Sequence, residues 1–315
     1  MDNTLRTART DGGLEQSPPR GRPSIAVGIA TAGRKRILGY MLDLIARQTR
    51  QPDILIVSPA SPEDVDLELL EHLPFKTTVQ NGKRGSAVQR NQILAAACTA
   101  DLIVFFDDDF FPGLNYLEEL ERIFLDNPDV VAVTGRPIYD GVGGPGLEAE
   151  AALGLIAADP SKPTDLALAP TYGTYGCNMA FRMPPIRQHG VLFDEALPLY
   201  SWQEDIDFSR QLADFGRIVD ANTLRGVHLG AKGGRTSGVQ FGYSQIANPV
   251  YLIHKGTMSI RFGVPLILRN LAANVSRSFR PEPWIDRRGR LKGNWLALRD
   301  LITGRISPQR ILELG

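Results

Sequence analysis

Ser24–Ala30, Asp53–Val57 and Leu102–Phe106 are short apolar runs, Lys76–Val79 is a fourth strand-like segment, and the stretches between them carry a different period. Ile37, Leu38, Met41, Leu42 and Ile45 recur at three- and four-residue spacing, which predicts a helix over about 35–48 with one apolar stripe. Glu63–His72 and the alanine-rich Ser86–Cys98 are further helical stretches. Strands alternating with helices in this way constrain the chain to an α/β fold, a mostly parallel sheet flanked by helices on both faces. In such sheets ligands bind beyond the carboxyl ends of the strands. Asp107-Asp108-Asp109 stands directly after the Leu102–Phe106 run, at such an end.

Three adjacent carboxylates repel and raise one another's pKa unless a cation neutralises them. Asp107 and Asp109, two positions apart, face one way in extended backbone and offer hard oxygen ligands suited to Mg2+ or Mn2+. A second acidic cluster is Trp202-Gln-Glu-Asp-Ile-Asp207. Ser201 and Glu204 fit a capping box that opens a helix, and Asp205 then lies one turn in, beside Trp202 and partly desolvated, where a carboxylate can act as a general base. His228 ends a strand-like segment and precedes the flexible, cationic stretch Gly230–Gly238. Tyr172, Tyr175, Asn178 and Trp202 offer aromatic faces and polar edges to a ligand.

After Asp109 the pattern predicts a helix over Leu114–Leu125 and a strand over Val130–Val133, then a mobile Gly/Ala/Pro-rich insertion from Tyr139 to Pro170. Short strands follow near Arg217–Asp220 and Leu224–Leu229. Three segments result: a disordered tail over 1–23, a catalytic domain over 24–248 and a basic helical extension over 249–315. Residues 1–249 carry 23 Lys and Arg against 31 Asp and Glu, whereas residues 250–315 carry 12 against 4. Basic residues interleaved with Val250–Ile253, Val264–Leu268 and Trp284 suit contact with an anionic membrane surface. The run Val250–Val275 is interrupted by His254, Lys255, Arg261 and Arg269, so it falls short of the roughly 20 apolar residues of a spanning helix. Nothing in Met1–Arg22 has the apolar stretch of a signal peptide, and a cytoplasmic location is expected.

In this order the clusters resemble the family 2 inverting glycosyltransferases of the GT-A fold. Ile25–Arg34 is similar to the strand and turn that open the nucleotide site, Arg90-Asn91 to the helix before the metal strand, and Phe106–Asp109 to the D-x-D motif. Phe193-Asp-Glu195 and Glu204-Asp-Ile-Asp207 match the Phe-Asp-Glu turn and the Glu-Asp-x-Asp helix. The resemblance implies Asp205 as base with Glu204 beside it, a divalent metal on Asp107, Asp109 and His228, and a donor site formed by Thr31, Arg34, Ser58, Arg84, Arg90, Asp107 and Asp108. Tyr175, Asn178 and Trp202 become the acceptor-binding candidates. The implied donor is a nucleotide-diphosphate sugar and the acceptor a saccharide or lipid-linked glycan of a bacterial cell surface. Ser58 stands where such enzymes carry an aspartate after the second strand, so a uridine base is not implied. The Q-x-x-R-W motif of processive relatives is absent, which points to one sugar per binding event.

A nucleotidyltransferase making nucleotide-sugars needs a stronger triphosphate cradle than Thr31-Ala-Gly-Arg34, and a purely sugar-binding protein has little use for both Asp clusters. No recognised nucleic-acid module accompanies the basic tail. ATPase and dehydrogenase readings lack a Walker loop and a G-x-G-x-x-G after the first strand.

Overall fold

The computed structural model describes residues 21–159, 165–233 and 237–314. Most of the expected N-terminal tail, and residues 160–164 and 234–236 of the two Gly-rich stretches, lie outside the described residues. The strands are β1 (Ile25–Thr31), β2 (Ile54–Pro59), β3 (Lys76–Val79), β4 (Leu102–Asp107), β5 (Phe110–Pro112), β6 (Val130–Asp140), β7 (Leu168–Pro170), β8 (Asn178–Arg182) and β9 (Arg217–His228). The helices are α1 (Lys35–Ala46), α2 (Leu67–Glu71), α3 (Ser86–Ala96), α4 (Tyr116–Asp126), α5 (Ala149–Ala158), α6 (Met183–His189), α7 (Glu204–Gln211), α8 (Gly238–Lys255), α9 (Ile260–Arg277) and α10 (Arg287–Ile302).

One sheet runs in the order β3-β2-β1-β4-β8-β6-β9-β5, with β7 beside β9. The period-two alternation of the strands sorts their side chains between two cores. Ile25, Val27, Ile29, Val104 and Phe106 face α1 and α4, whose buried stripes include Leu38, Met41, Leu42, Leu117 and Leu120. Ala26, Ile56, Ile103 and Phe105 face the other way, against Ile93 of α3, Ile186 of α6 and Phe208 of α7. Burial on both faces is why these strands read as continuous apolar runs.

The α/β class, the helices on both faces and the helical extension are as the pattern predicts. The sheet itself is mixed: β3, β2, β1 and β4 run parallel, but β8 is antiparallel to both β4 and β6. The Tyr139–Pro170 stretch is not simply a mobile insertion, because its described residues form the end of β6, a 3-10 turn at Gly141–Gly143, α5 and β7. The two short strands expected over 217–229 are one strand, β9. The helix expected over Glu63–His72 breaks into a 3-10 turn at Pro62–Asp64 and α2, since Val65 is extended and buried between them.

Helix α8 runs unbroken through residues 248 and 249, where the sequence suggests a domain boundary. The extension is tied to the sheet region by Lys255, whose ammonium donates to Asp194 (2.7 Å) and Asp207 (2.8 Å). Within it, α8 and α10 cross backbone to backbone. A Cβ on Gly293 would lie 2.0 Å from the Val239 carbonyl oxygen, and one on Gly242 2.1 Å from that of Arg290. No helix among the described residues is long and apolar enough to cross a membrane.

Since backbone atoms cannot rotate away, Gly293→Ala should destabilise the protein by about 1–3 kcal/mol, the cost of overpacking a close contact. Thermal or urea unfolding measures this; an unchanged midpoint would show that the crossing is looser than described.

Candidate active site

The carboxyl ends of β1 and β4 lie side by side, with Ala30 paired to Asp107, so the turn after β1 meets the acidic run after β4. The three aspartates separate there by direction. Asp108 turns back to β1, accepting from Thr31 Oγ1 (2.7 Å) and from Arg34 Nη1 (2.7 Å). Asp109 is buried and accepts from Ala231 N (2.8 Å), with Arg34 Nη1 at 3.3 Å and His228 Nε2 at 3.4 Å. Asp107 is more open, and its Oδ1 accepts from Arg90 Nη2 (2.8 Å). Arginines therefore supply much of the positive charge that the triple aspartate demands.

Burial raises the Asp107 and Asp108 carboxyls above the ordinary carboxylate range. For Asp109 burial acts in the same direction, but hydrogen bonding to His228 and the charge of Arg34 reverse it, and its pKa is lowered. Asp109 is thus the member of the run most firmly ionised.

Asp107, Asp109 and His228 can offer one ligand atom each, all within 4.8 Å of one another. His228 is carried there by β9, where it pairs with Phe110 of β5. Its Nδ1 lies 3.1 Å from Asp140 Oδ1 and 3.3 Å from the Tyr175 hydroxyl, which itself donates to Asp140 Oδ2 (2.8 Å). Burial favours the neutral ring, but Cys177 and the carboxylates of Asp109 and Asp140 hold the imidazole pKa well above its usual value. With Nδ1 engaged by Asp140, Nε2 is the nitrogen left for a cation. Two carboxylates and an oriented imidazole fit a divalent ion of the Mn2+ or Mg2+ type.

Helix α7 brings in the second acidic cluster. Ser201 and Glu204 do not form the capping box that their spacing suggests: the Ser201 hydroxyl donates to Leu197 O (2.6 Å) and accepts from Ala87 N (3.3 Å). The Glu204 carboxylate goes instead to Arg90, which thereby bridges it to Asp107. Helix α7 starts after a tense segment in which Leu199, Ser201 and Gln203 all have positive φ (61°, 52° and 77°). No glycine marks it, so the sequence pattern does not reveal it. Asp205 Oδ2 accepts from Gly176 N (2.9 Å) and Oδ1 from Ile206 N (2.8 Å). Burial raises the Asp205 pKa against the pull of those two amides.

Two cavities open on this framework. One, of about 330 Å³, is lined by Thr31, Arg34, Arg84, Gln89, Asp107 and Asp108 among others. The other, of about 530 Å³, is lined by Arg90, Tyr175, Trp202, Glu204, Asp205 and His228 together with residues of α9. They share Ser86, Asp107 and Tyr200, so they meet at the first aspartate.

Besides Asp109, which is buried against Arg34 and His228, two expected site residues fall outside both cavities. Asn178 is fully buried in the sheet, its Oδ1 accepting from Tyr116 Oη (3.2 Å) and Gly135 N (2.5 Å), so its amide serves the fold and not an acceptor. Ser58 is also buried, donating to Gln80 O (3.1 Å) and Gln92 Oε1 (2.9 Å). Gln89, bonded to the Ser58 and Thr31 carbonyls, is the residue that reaches the cavity from there. Sequence reasoning also misses Asp140, Tyr200, Gln203 and Gln240. Only Asp140, the acid that closes a strand, carries a local signal. The Phe193–Glu195 turn is an anchor: Asn91 bonds the Phe193 backbone at both N (2.9 Å) and O (3.0 Å), and the Phe193 ring stacks on Phe208 at 4.0 Å.

The sequence matches the profile of glycosyl transferase family 2 over residues 26–190. No curated protein matches it by sequence. Among solved structures, residues 1–349 of TarS from S. aureus align at 15% identity and TM-score 0.56, covering 91% of this chain and 82% of that one. The mannosyltransferase PcManGT from Pyrobaculum calidifontis, in complex with GDP-Man and Mn2+, aligns at 16% identity and TM-score 0.54, covering 93% and 86%. A longer TarS chain aligns at 16% identity and TM-score 0.50 over 82% of this chain, which spans only 44% of its length. At such identities the likeness is one of fold.

Replacing Arg90 with methionine would leave the buried Glu204 carboxylate without its cation. Arg90→Met should cost about 3 kcal/mol of stability, and Arg90→Lys less. Denaturant unfolding of both variants measures it; equal stability of Arg90→Met and wild type would contradict the bridge.

Proposed function

Since the chain belongs to glycosyl transferase family 2, we propose that it moves a sugar from a nucleotide-diphosphate donor to an acceptor hydroxyl, with inversion at the anomeric carbon. The meeting of the two cavities at Asp107 carries this reading: one is walled by the Arg34 and Asp108 side chains, the other by Asp205. The first is the donor cleft. Thr31, Arg34, Arg84 and Gln89 are its polar and cationic groups for nucleotide and phosphates, and Arg90, in the wall of the second cavity, bears on it through Asp107. The second is the acceptor cleft, where Tyr175 and Trp202 present rings and Asp205 the carboxylate.

Asp205 accepts the acceptor hydroxyl proton as that oxygen bonds to the anomeric carbon and the bond to the diphosphate oxygen breaks. Two backbone N–H groups fix the carboxylate, while burial makes it more basic than an exposed aspartate. Arg90 positions Glu204 and Asp107 and so sets α7 against the end of β4. When bound by Asp107, Asp109 and His228, Mn2+ or Mg2+ would neutralise charge on the departing diphosphate. PcManGT is a fold relative described with GDP-Man and Mn2+, which favours the same donor class and metal here. The acceptor is a saccharide or lipid-linked glycan of a cell-surface polysaccharide or glycolipid, met in the cytoplasm.

Nucleoside diphosphate release from a panel of UDP-, GDP- and dTDP-sugars with Mn2+ tests the proposal. Release should depend on the metal and be lost in Asp109→Ala. Asp205→Asn should lower transfer by about 10²–10⁴-fold. The base works only deprotonated, and its pKa is raised, so the acid limb of kcat/KM should lie above the ordinary aspartate value of 3.8. Release of pyrophosphate from a nucleoside triphosphate instead would identify a nucleotidyltransferase.

A further inference from the structure

Helix α9 has two occupied sides and one bare one. Gly263, Leu266 and Asn274 are buried, the Phe262 ring stacks on Tyr172 at 4.0 Å, and Phe262, Leu266 and Arg269 line the cavity that holds Asp205. On the outer side Ile260, Val264, Leu268 and Val275 are exposed by 66%, 41%, 58% and 43%, and Phe279 just beyond the helix by 81%. Their spacing of four, four and seven residues puts the four helical ones on a single stripe. Between Ile260 and Arg280 there are four arginines and no acid. Arg277 pairs with Glu282 beyond this stretch (2.9 Å) and Arg269 lines the cavity, so Arg261, next to the stripe, and Arg280, beside Phe279, are the cations set against the apolar face. Large bare apolar side chains in a basic field are unusual for a surface that faces only water.

From this stripe and its charge we infer that α9 lies in the interface of an anionic lipid bilayer and seats the Asp205 cleft at the membrane surface. The inference rests on the glycosyltransferase reading and narrows it: the acceptor is lipid-anchored. Leu268 belongs to the stripe and Arg269 to the cleft wall, so a bilayer holding the one lies next to the opening that receives the acceptor. Apolar side chains entering the headgroup boundary, with arginines reaching lipid phosphates, is the pattern of an interfacial helix. A second copy of the chain is the less favourable occupant, because a two-fold contact through this stripe would bring its arginines against their own counterparts.

The test is co-sedimentation of the full chain with vesicles of phosphatidylcholine alone and of equimolar phosphatidylcholine and phosphatidylglycerol. Wild type should bind the anionic vesicles, bind the neutral ones far less, and dissociate as salt rises. The double variant Val264→Glu, Leu268→Glu should bind at least roughly tenfold more weakly, with an unchanged circular dichroism melt because both positions are exposed. Wild type that stays in the supernatant at low salt, or a double variant that binds as well as wild type, overturns the inference. So does a concentration-dependent dimer that the double variant abolishes while vesicles bind neither protein. Vesicle binding needs no sugar, metal or Asp205, so it fails or succeeds separately from nucleotide release in the soluble assay.

Discussion

A single guanidinium keeps the two acidic clusters in register. Arg90, buried in α3, donates to Asp107 at the end of β4, to the Gly176 carbonyl before β8 and to Glu204 at the start of α7. Each partner belongs to a different element, and each element carries another functional group: Asp109 two residues past β4, Asp205 next to Glu204, and the Gly176 amide that holds Asp205. Arg90 is positioned in turn by the Phe193 ring, 5.6 Å below its guanidinium, and Phe193 by its neighbour Asn91. Two successive residues of one helix thus fix both cleft walls.

The same economy extends to the C-terminal helices. Asp207, two residues past Asp205, is fully buried and receives Lys255 and Thr257. Helix α7 therefore cannot sit correctly unless the end of α8 is docked on it. A small core of Leu197, Ile206, Leu252 and Met258, with Tyr172 and Phe262 packed around it, continues the junction. The extension lines the cavity that holds Asp205 and is not an appendage, which is why α9 can relate that cavity to a surface outside the protein.

Much of this was legible in the sequence because it depends on local pattern. Apolar runs flanked by helical periods locate β1, β2 and β4, and a run of aspartates after β4 has few structural uses. What the pattern does not carry is direction and long-range partnership. Three aspartates in a row look alike in the sequence, yet Asp108 alone turns back to Thr31 and Arg34. Ser201 and Glu204 have the spacing of a cap, yet the positive φ values at Ser201 and Gln203 and the claim of Arg90 on Glu204 override it. Asn178 has the polarity of a sugar ligand, but its amide fills hydrogen-bonding needs where β6 meets β8. The antiparallel course of β8 is set by non-local pairing, which no strand-length pattern encodes.

The central claim is that Asp205 and the donor cleft stand on opposite sides of one reacting carbon, so that displacement occurs in a single step. The direct measurement is the anomeric proton coupling of the product by NMR, using whichever nucleotide-sugar donor the panel identifies. A glycosidic bond of configuration opposite to that of the donor is the predicted result. A product with the donor's configuration would contradict a single displacement and remove Asp205 from the role assigned to it.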